Sequence, residues 1–181
     1  MLEVTFLLKL FLPNKHVDTV YDITPTFLKD NGKKAIILDL DNTLIPWNVS
    51  NATEEIKTWL RSIEEANIKV TIFSNNSEER VRIFSEPLNL PFIHRANKPL
   101  KSKFRRAQKL MGVKKDEVVV IGDQLLTDIF GGNRAGFYTI LVVPIVQSDA
   151  PITKFNRRME QKILNRFYVK GKLSKRVLRD E

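Results

Sequence analysis

Two carboxylates that follow an apolar run are the strongest candidates in this chain for catalytic or metal-binding residues. Residues 35–38 are all apolar, which is typical of a strand buried on both faces, and Asp39 and Asp41 come shortly after them. One carboxylate can act as a nucleophile and the other as a general acid or base, or the pair can hold Mg²⁺, which prefers oxygen ligands. The alternative is an Asx-rich turn that closes the strand without chemistry.

Polar side chains also follow three later predicted strands. They are Ser74 and Asn75 after residues 69–73, Lys98 after residues 92–94, and Asp123 and Asp128 after residues 118–121. Ligands of open α/β sheets bind beyond the carboxyl ends of the strands, so these side chains are expected to share one crevice. Carboxylates, hydroxyls and one amine suit phosphoryl transfer. A carboxylate attacks phosphorus, Mg²⁺ and a lysine neutralise the phosphoryl oxygens, and a second carboxylate carries the proton.

Each of these side chains also has a structural explanation. Asp41 and Ser74 can close turns, and Thr43 can cap one. Lys98 can be one more surface lysine in a basic segment, and Asp128 can be a favourable acid in the first turn of a helix. The chemistry is therefore argued from the whole set.

The elements that must position this set alternate between strand and helix. Such alternation predicts a parallel sheet with right-handed crossovers and helices on both faces. Residues 14–33 are interpreted as a connecting segment with one short helix at residues 26–30. The predicted strands cover residues 34–38, 69–73, 92–94, 118–121 and 138–143, and the predicted helices cover residues 53–67, 78–85 and 101–111, with another beginning near Asp128.

Four motifs in order resemble those of the haloacid dehalogenase (HAD) superfamily. They are Asp39-x-Asp41-x-Thr43, Ser74 after a strand, Lys98-Pro99, and Gly122-Asp123 followed by Asp128. The resemblance covers residues 35–143 and implies a three-layer, Rossmann-like fold. An Asp in the second position of the first motif is similar to the phosphatases of that superfamily.

The resemblance also implies a role for each motif residue. Asp39 matches the nucleophile, which also binds Mg²⁺, and Asp41 matches the general acid/base, whose main-chain carbonyl contacts the metal. Lys98 matches the lysine that pairs with the nucleophile and the phosphate. Asp123 matches the third metal contact, and Asp128 matches a residue behind it that holds the lysine or a metal-bound water.

Three further residues match positions that support or bind the phosphoryl group. By resemblance, Thr43 supports the Asp41 loop, and Ser74 hydrogen-bonds the phosphoryl group together with the main chain of Asn75. Gln124 departs from the pattern, since many relatives carry an acid or a small polar residue there.

The short intervals between motifs predict an enzyme without a cap domain. Residues 43–74 hold one helix and loops, and residues 74–98 are fewer still, so neither interval has room for a cap. An open site suits a substrate carried on something large, and a partner subunit is the other source of a lid. The chain is divided into an N-terminal segment at 1–33, a catalytic core at 34–150, and a basic C-terminal helix and tail at 151–181.

The net charge of +9 is concentrated near the C-terminus. The cations there are Lys154, Arg157, Arg158, Lys162, Arg166, Lys170, Lys172, Lys175, Arg176 and Arg179, against Glu160, Asp180 and Glu181. Apolar residues repeat every four positions at Phe155, Met159, Ile163 and Phe167, which predicts a basic amphipathic helix. Such a helix binds an anionic membrane surface, packs on the domain with its basic side in water, or contacts a phosphate backbone.

The apolar residues 1–12 likewise either pack on the domain or touch a membrane, and they are too short to span one.

The motif surroundings narrow the resemblance to HAD subfamily IIIA, the YqeG-type group. The residues that carry it are Leu10-Phe11-Leu12-Pro13 and Trp47, four positions after Thr43. That group is similar to phosphatidylglycerophosphate phosphatases, which implies a phosphomonoester at a membrane surface. The alternatives are a soluble sugar or nucleotide phosphate as substrate, or a non-catalytic RNA- or ribosome-binding domain, with nucleic acid disfavoured.

The absence of Cys fits a cytoplasmic protein, with peripheral membrane contact as an option, and the oligomeric state is left open.

Overall fold

A computed structural model describes residues 8–146 and 153–174. It contains a six-stranded parallel sheet, in the order β1-β6-β5-β2-β3-β4, with helices on both faces, so the predicted three-layer architecture is confirmed. The strands are β1 (Lys15–Val17), β2 (Ala35–Leu38), β3 (Lys69–Phe73), β4 (Phe92–Ile93), β5 (Val118–Gly122) and β6 (Tyr138–Val142). The helices are α1 (Pro25–Asp30), α2 (Glu54–Glu65), α3 (Glu78–Ser85), α4 (Lys101–Met111), α5 (Phe130–Ala135) and α6 (Thr153–Val169).

The central strand β2 separates two apolar layers. Ile36 and Leu38 face the layer built by α2 and α3, while Ala35 and Ile37 face the layer built by α4. All four side chains are fully buried or nearly so, as expected for a strand covered on both faces. The side chain of Thr53 accepts a hydrogen bond from the main-chain N–H of Ile56 and caps α2, so the predicted start of that helix is confirmed.

Residues 14–33 were predicted to form a connecting segment with one short helix. This prediction was wrong at residues 15–17, which form the strand β1. Residues 15–17 form an edge strand parallel to β6, and the main-chain N–H of Val143 donates to the carbonyl of Val17 at 3.1 Å. A three-residue strand that contains Lys and His has neither an apolar run nor a full period of alternation, so its pairing depends on β6 rather than on its own sequence. The division of the chain at residues 33 and 150 stays a prediction, and the second boundary lies outside the described residues.

The helical segment after β5 begins with a wider turn than the sequence predicts. A π-helical turn at Leu125–Ile129, which contains Asp128, precedes α5. Gly131 lies inside α5 where a Cβ atom would be 2.4 Å from the ring of Phe104, so glycine allows α4 and α5 to pack closely. Widened turns of this kind are frequent at functional sites.

The C-terminal helix α6 packs on the domain beside residues of the N-terminal segment. Ile163 and Leu164 join Phe11 against the apolar cluster of Leu125, Ile129 and Leu141, and Phe167 is buried. The buried carboxylate of Glu160 accepts a hydrogen bond from the main-chain N–H of Leu126 at 2.9 Å. Of the predicted stripe, Met159 is largely exposed, and the side chain of Phe155 lies outside the described residues, as do residues 1–7 and 175–181. Within the described helices, no segment is both long and apolar enough to cross a membrane.

Candidate active site

The predicted site residues follow four strands whose carboxyl ends lie side by side, in the order β5-β2-β3-β4. The loops after these strands are joined by main-chain hydrogen bonds. Asp39 N–H donates to the Ile121 carbonyl at 2.9 Å, and Ala96 N–H donates to the Ser74 carbonyl at 3.0 Å. Motifs that are up to 89 residues apart in sequence therefore meet at one edge of the sheet, as Asp39 and Asp128 do.

Lys98 lies at the centre of this edge. Its ammonium group donates to Asp39 Oδ1 at 2.5 Å and to Asp128 Oδ1 at 2.7 Å. The side chains of all three residues are at most 7% exposed, so the ion pairs are sealed from water. An ammonium held between two carboxylates both fixes the carboxylates and offsets part of their charge.

Burial and ion pairing act against each other in this group. Burial alone would lower the pKa of Lys98, but Asp128 and Asp39 outweigh it and raise the pKa well above its ordinary value, so the ammonium stays charged. Burial raises the pKa of Asp39, and Lys98 offsets this rise only in part. The nucleophile candidate is thus a carboxylate whose ionised form depends on nearby positive charge.

The hydroxyl of Thr43 connects two of the acids. It donates to Asp39 Oδ2 at 3.1 Å and lies 3.3 Å from Asp123 Oδ1. The side chain of Thr43, expected to support the Asp41 loop, thus contacts two buried carboxylates. Asn42, in the left-handed region at φ 63°, turns the chain so that Thr43 faces back toward Asp39.

Asp128 is held by the loop that follows β5. Its Oδ2 accepts from the main-chain N–H of Gln124 at 3.2 Å and from the hydroxyl of Thr127 at 3.3 Å. A Cβ atom on Gly122 would lie 2.3 Å from the Asp128 carboxyl carbon, so glycine is required for this approach. Gln124, the departure from the family pattern, contributes its main-chain N–H to Asp128 and its side-chain oxygen to Thr127.

Asp41 occupies a second corner of the site, away from Lys98. Both Nε and Nη2 of Arg80 donate to its Oδ1, at 3.0 and 2.8 Å. Its Oδ2 accepts from Asn76 Nδ2 at 3.3 Å and from the hydroxyl of Ser74 at 3.4 Å. In this structure Ser74, expected to bind the phosphoryl group, contacts the general acid/base candidate.

Arg80 and Asn76 were missed by the sequence reasoning. Asn76 belongs to the polar run that ends β3, and Arg80 lies in the first turn of α3, which Ser77 caps. The rule that places ligands beyond the carboxyl ends of strands also applies to the first turn of the following helix, so it could have included Arg80.

Asn75 positions Lys98 through its side chain. Its Oδ1 accepts from the main-chain N–H of Lys98 at 2.6 Å, and its Nδ2 donates to the Lys98 carbonyl at 3.3 Å. This paired contact fixes the loop after β4 to the loop after β3. The amide side chain therefore controls the direction from which the ammonium enters the site.

The acidic cluster has the chemistry of a Mg²⁺ site. Carboxylate oxygens of Asp39, Asp123 and Asp128 lie within 4.8 Å of one another, and all three residues are buried. The donors of this cluster are all oxygen, as Mg²⁺ prefers, and the ammonium of Lys98 lies among them. The carboxylate of Asp41 lies outside this cluster and is bound to Arg80 instead.

No cap domain is inserted between the first and third motifs. Residues 43–98 are all described, and between the first and third motifs they form only α2, β3, α3, a short 3₁₀ turn and β4. A groove of about 790 Å³ runs along α2 and the edge strand β4 to the end of α4, and none of the predicted site residues lines it. The catalytic edge and this groove are therefore separate features of the domain.

Known proteins resemble this chain over most of its length. The model of the HAD-hydrolase-like family (Hydrolase_like) matches residues 95–166. The probable phosphatase YqeG of Bacillus subtilis is 53% identical over 163 residues, which cover 90% of this chain and 95% of YqeG. Phosphatidylglycerophosphate phosphatase 1 of Arabidopsis thaliana is 29% identical over 177 residues, which cover 88% of this chain and 49% of the plant protein. The chain therefore spans about half of that relative.

Solved structures share the fold. The cobalt-bound deoxy-D-mannose-octulosonate 8-phosphate phosphatase YrbI of Haemophilus influenzae aligns with a TM-score of 0.52 and 16% identity, over 76% of this chain and 90% of YrbI. At that identity the likeness concerns the fold alone. The match to YqeG over nearly the whole of both chains shows that this protein belongs to the HAD-like hydrolases, in the YqeG group of phosphatases.

Proposed function

We propose that the protein is a Mg²⁺-dependent phosphomonoesterase that works through an aspartyl phosphate on Asp39. The observation that carries this proposal is the Lys98 ammonium, held between Asp39 and Asp128 beside a third buried carboxylate, Asp123. A binding module without turnover has no need of a buried lysine paired with a nucleophilic acid. The arrangement supplies a nucleophile, a fixed positive charge and a set of metal ligands together.

In the first step, a carboxylate oxygen of Asp39 attacks phosphorus while the bond from phosphorus to the ester oxygen breaks. Asp41 gives its proton to that leaving oxygen, and Lys98 balances negative charge on the phosphoryl oxygens. Asp39, Asp123 and the main-chain carbonyl of Asp41 would hold Mg²⁺, with Asp128 behind them. When bound, the ion neutralises charge on the transferring phosphoryl group.

In the second step, Asp41 takes a proton from the water that attacks the aspartyl phosphate. Cleavage of the phosphorus–oxygen bond releases inorganic phosphate and restores the Asp39 carboxylate, and Asp41 is again protonated for the next cycle. Arg80, Asn76 and Ser74 hold the Asp41 carboxylate in place through both steps. The same residue thus serves as acid and then as base.

The favoured substrate is phosphatidylglycerophosphate, a lipid-borne phosphomonoester. Support comes from the similarity to enzymes named for that lipid in Arabidopsis and Chlamydomonas reinhardtii, and from a site without a cap. In this proposal the protein is cytoplasmic, and its basic segment from Lys154 to Arg179 would bind the surface of an anionic membrane. Since Ile163 and Phe167 are engaged in packing, the contact of α6 would be through its cations rather than its apolar face.

Phosphate release from phosphatidylglycerophosphate in mixed micelles, with and without Mg²⁺, tests the proposal. An aryl phosphate and an Asp39→Asn variant serve as controls. Turnover of the lipid that requires both Mg²⁺ and Asp39 is the expected result. Turnover of the aryl phosphate alone would keep the mechanism and exclude the lipid, whereas no turnover of either would favour a non-catalytic binding domain.

A further inference from the structure

The helix α4 is the most one-sided charged element among the described residues. Its sequence carries five cations and no acid. None of them forms an ion pair within the described part of the chain. The two helices on the opposite face of the sheet differ, because α2 has four acids against two cations and α3 has two of each. There Lys57 pairs with Glu54, and Arg82 pairs with Glu86.

The start of this basic helix lies next to the catalytic edge. α4 begins three residues after Lys98, so its first turn stands at the mouth of the site. Phe104, Ala107 and Met111 are buried against the sheet, which leaves the other side of the helix to solvent. The exposed cations of that side are Arg105, Arg106 and Lys109.

Exposed apolar side chains surround the same edge. Trp47 is 45% exposed in the loop after β2, Leu100 is 51% exposed just before α4, and Ile145 is 42% exposed after β6. The main-chain N–H of Ile145 donates to the Asn42 carbonyl at 3.0 Å, which attaches this loop to the first motif. Because the strands are parallel, their carboxyl ends carry all three residues at the end of the sheet where Asp39 lies.

We propose that α4 and this apolar rim of Trp47, Leu100 and Ile145 dock the catalytic edge on an anionic lipid surface. The proposal rests on the proposed function, since it supplies the means by which a lipid-borne phosphomonoester reaches an uncapped site. Cations attract anionic headgroups, and apolar side chains enter the region beneath them. A nucleic acid would match the cations but offers little to aliphatic Leu and Ile side chains, so lipid is the better fit.

Sedimentation with vesicles of phosphatidylcholine, with and without phosphatidylglycerol, measures the docking without any need for turnover. The variant Lys103→Gln/Arg105→Gln/Arg106→Gln, which removes three cations from the half of α4 nearer the site, should bind the anionic vesicles about 100-fold more weakly, at about fivefold per cation. The matched control, Lys57→Gln/Arg61→Gln/Arg82→Gln, removes the same charge from the opposite face. It should change binding by no more than about threefold, because charges beyond about 8 Å from the surface are largely screened.

A second matched pair tests the apolar rim. Leu100→Ser should weaken vesicle binding about tenfold through loss of buried apolar area. Leu110→Ser, a change at the far end of α4 where the side chain is 68% exposed, should leave binding unaltered. Aryl phosphate turnover, which needs no membrane, should stay at the parental level in all four variants and shows that each is folded.

Three outcomes would overturn the docking proposal. They are no preference of the parent protein for anionic vesicles, equal losses in the two triple variants, and tighter binding to a single-stranded RNA homopolymer than to the vesicles. Failure of the proposed function has a different signature, namely no Mg²⁺-dependent aryl phosphate turnover by the parent protein, whatever its vesicle binding.

Discussion

The two corners of the active site differ in their access to water. In the first corner Asp39, Lys98 and Asp128 are packed so tightly that their side chains are at most 7% exposed. In the second, the side chains of Asp41 and Arg80 are 21% and 14% exposed. A nucleophile gains from a fixed, dry setting, whereas a general acid/base must reach both a leaving group and a water molecule. The contrast therefore matches the roles that we propose for Asp39 and Asp41.

Replacement of the nucleophile should have the largest effect on catalysis. Asp39→Asn removes the oxygen that forms the covalent intermediate, and we expect turnover to fall by about four orders of magnitude or more. Steady-state release of phosphate from an aryl phosphate measures this loss. Residual activity within about tenfold of the parent protein would show that another residue carries the phosphoryl group.

In the absence of metal, Asp39→Asn should be at least as stable toward unfolding as the parent protein. Burial raises the pKa of Asp39 in the folded protein, so its ionised form costs folding free energy once the pH exceeds that raised value. As the pH falls through the raised pKa toward the ordinary carboxyl pKa, the parent protein should gain stability relative to Asp39→Asn. Urea unfolding in a chelator at several pH values measures the difference, and a change of opposite sign would contradict the assignment.

Loss of the central ammonium should damage folding as well as chemistry. Lys98→Met leaves Asp39 and Asp128 buried together without their counter-charge, and breaking such a pair costs about 3–5 kcal/mol of unfolding free energy. The double variant Lys98→Met/Asp39→Asn should recover part of this loss because it removes one of the stranded charges. Equal stability of the single and double variants would show that the pairing is of little energetic consequence.

Replacement of Asp41, in the more exposed corner, should change the reaction rate rather than the free energy of unfolding. Asp41→Asn should slow turnover by about 10²–10⁴-fold, the usual contribution of a general acid/base. An aryl phosphate with a good leaving group needs no proton in the first step, so a rapid-quench experiment should show a burst of the aryl alcohol followed by slow phosphate release. Absence of a burst, with both steps slowed equally, would argue that Asp41 acts on binding instead.

The difference between the corners also marks the limit of what the sequence could predict. The buried set could be predicted because each member follows an apolar strand, and the strands of a parallel sheet end at one edge. Thr43 was predicted to belong to this site, but its contacts with Asp39 and Asp123 depend on the backbone turn at Asn42. The edge strand at residues 15–17 has no apolar signature, since its partner β6 determines it.

Arg80 is the clearest residue that the sequence did not predict. An arginine in the first turn of a helix with mixed charges resembles any solvated surface residue, and Arg82 two positions later is one. Only the packing of α3 beside the loop after β2 brings the guanidinium of Arg80 to Asp41, 39 positions earlier in the chain. Such a contact is a property of the tertiary structure and leaves no local pattern.

Replacement of Arg80 tests whether the second corner is held as the structure indicates. Arg80→Gln removes two hydrogen bonds from Asp41 Oδ1 but leaves Asn76 and Ser74 on Oδ2, so we expect a loss of only about tenfold in kcat, or about 1.4 kcal/mol of barrier. Arg82→Gln, on the same helix and paired with Glu86, is the matched control and should be neutral. If Arg80 positions Asp41 for proton transfer, the loss should be larger for alkyl phosphates, whose leaving oxygen needs the proton, than for activated aryl phosphates. An equal loss for both substrates, confined to KM, would instead assign Arg80 to substrate binding.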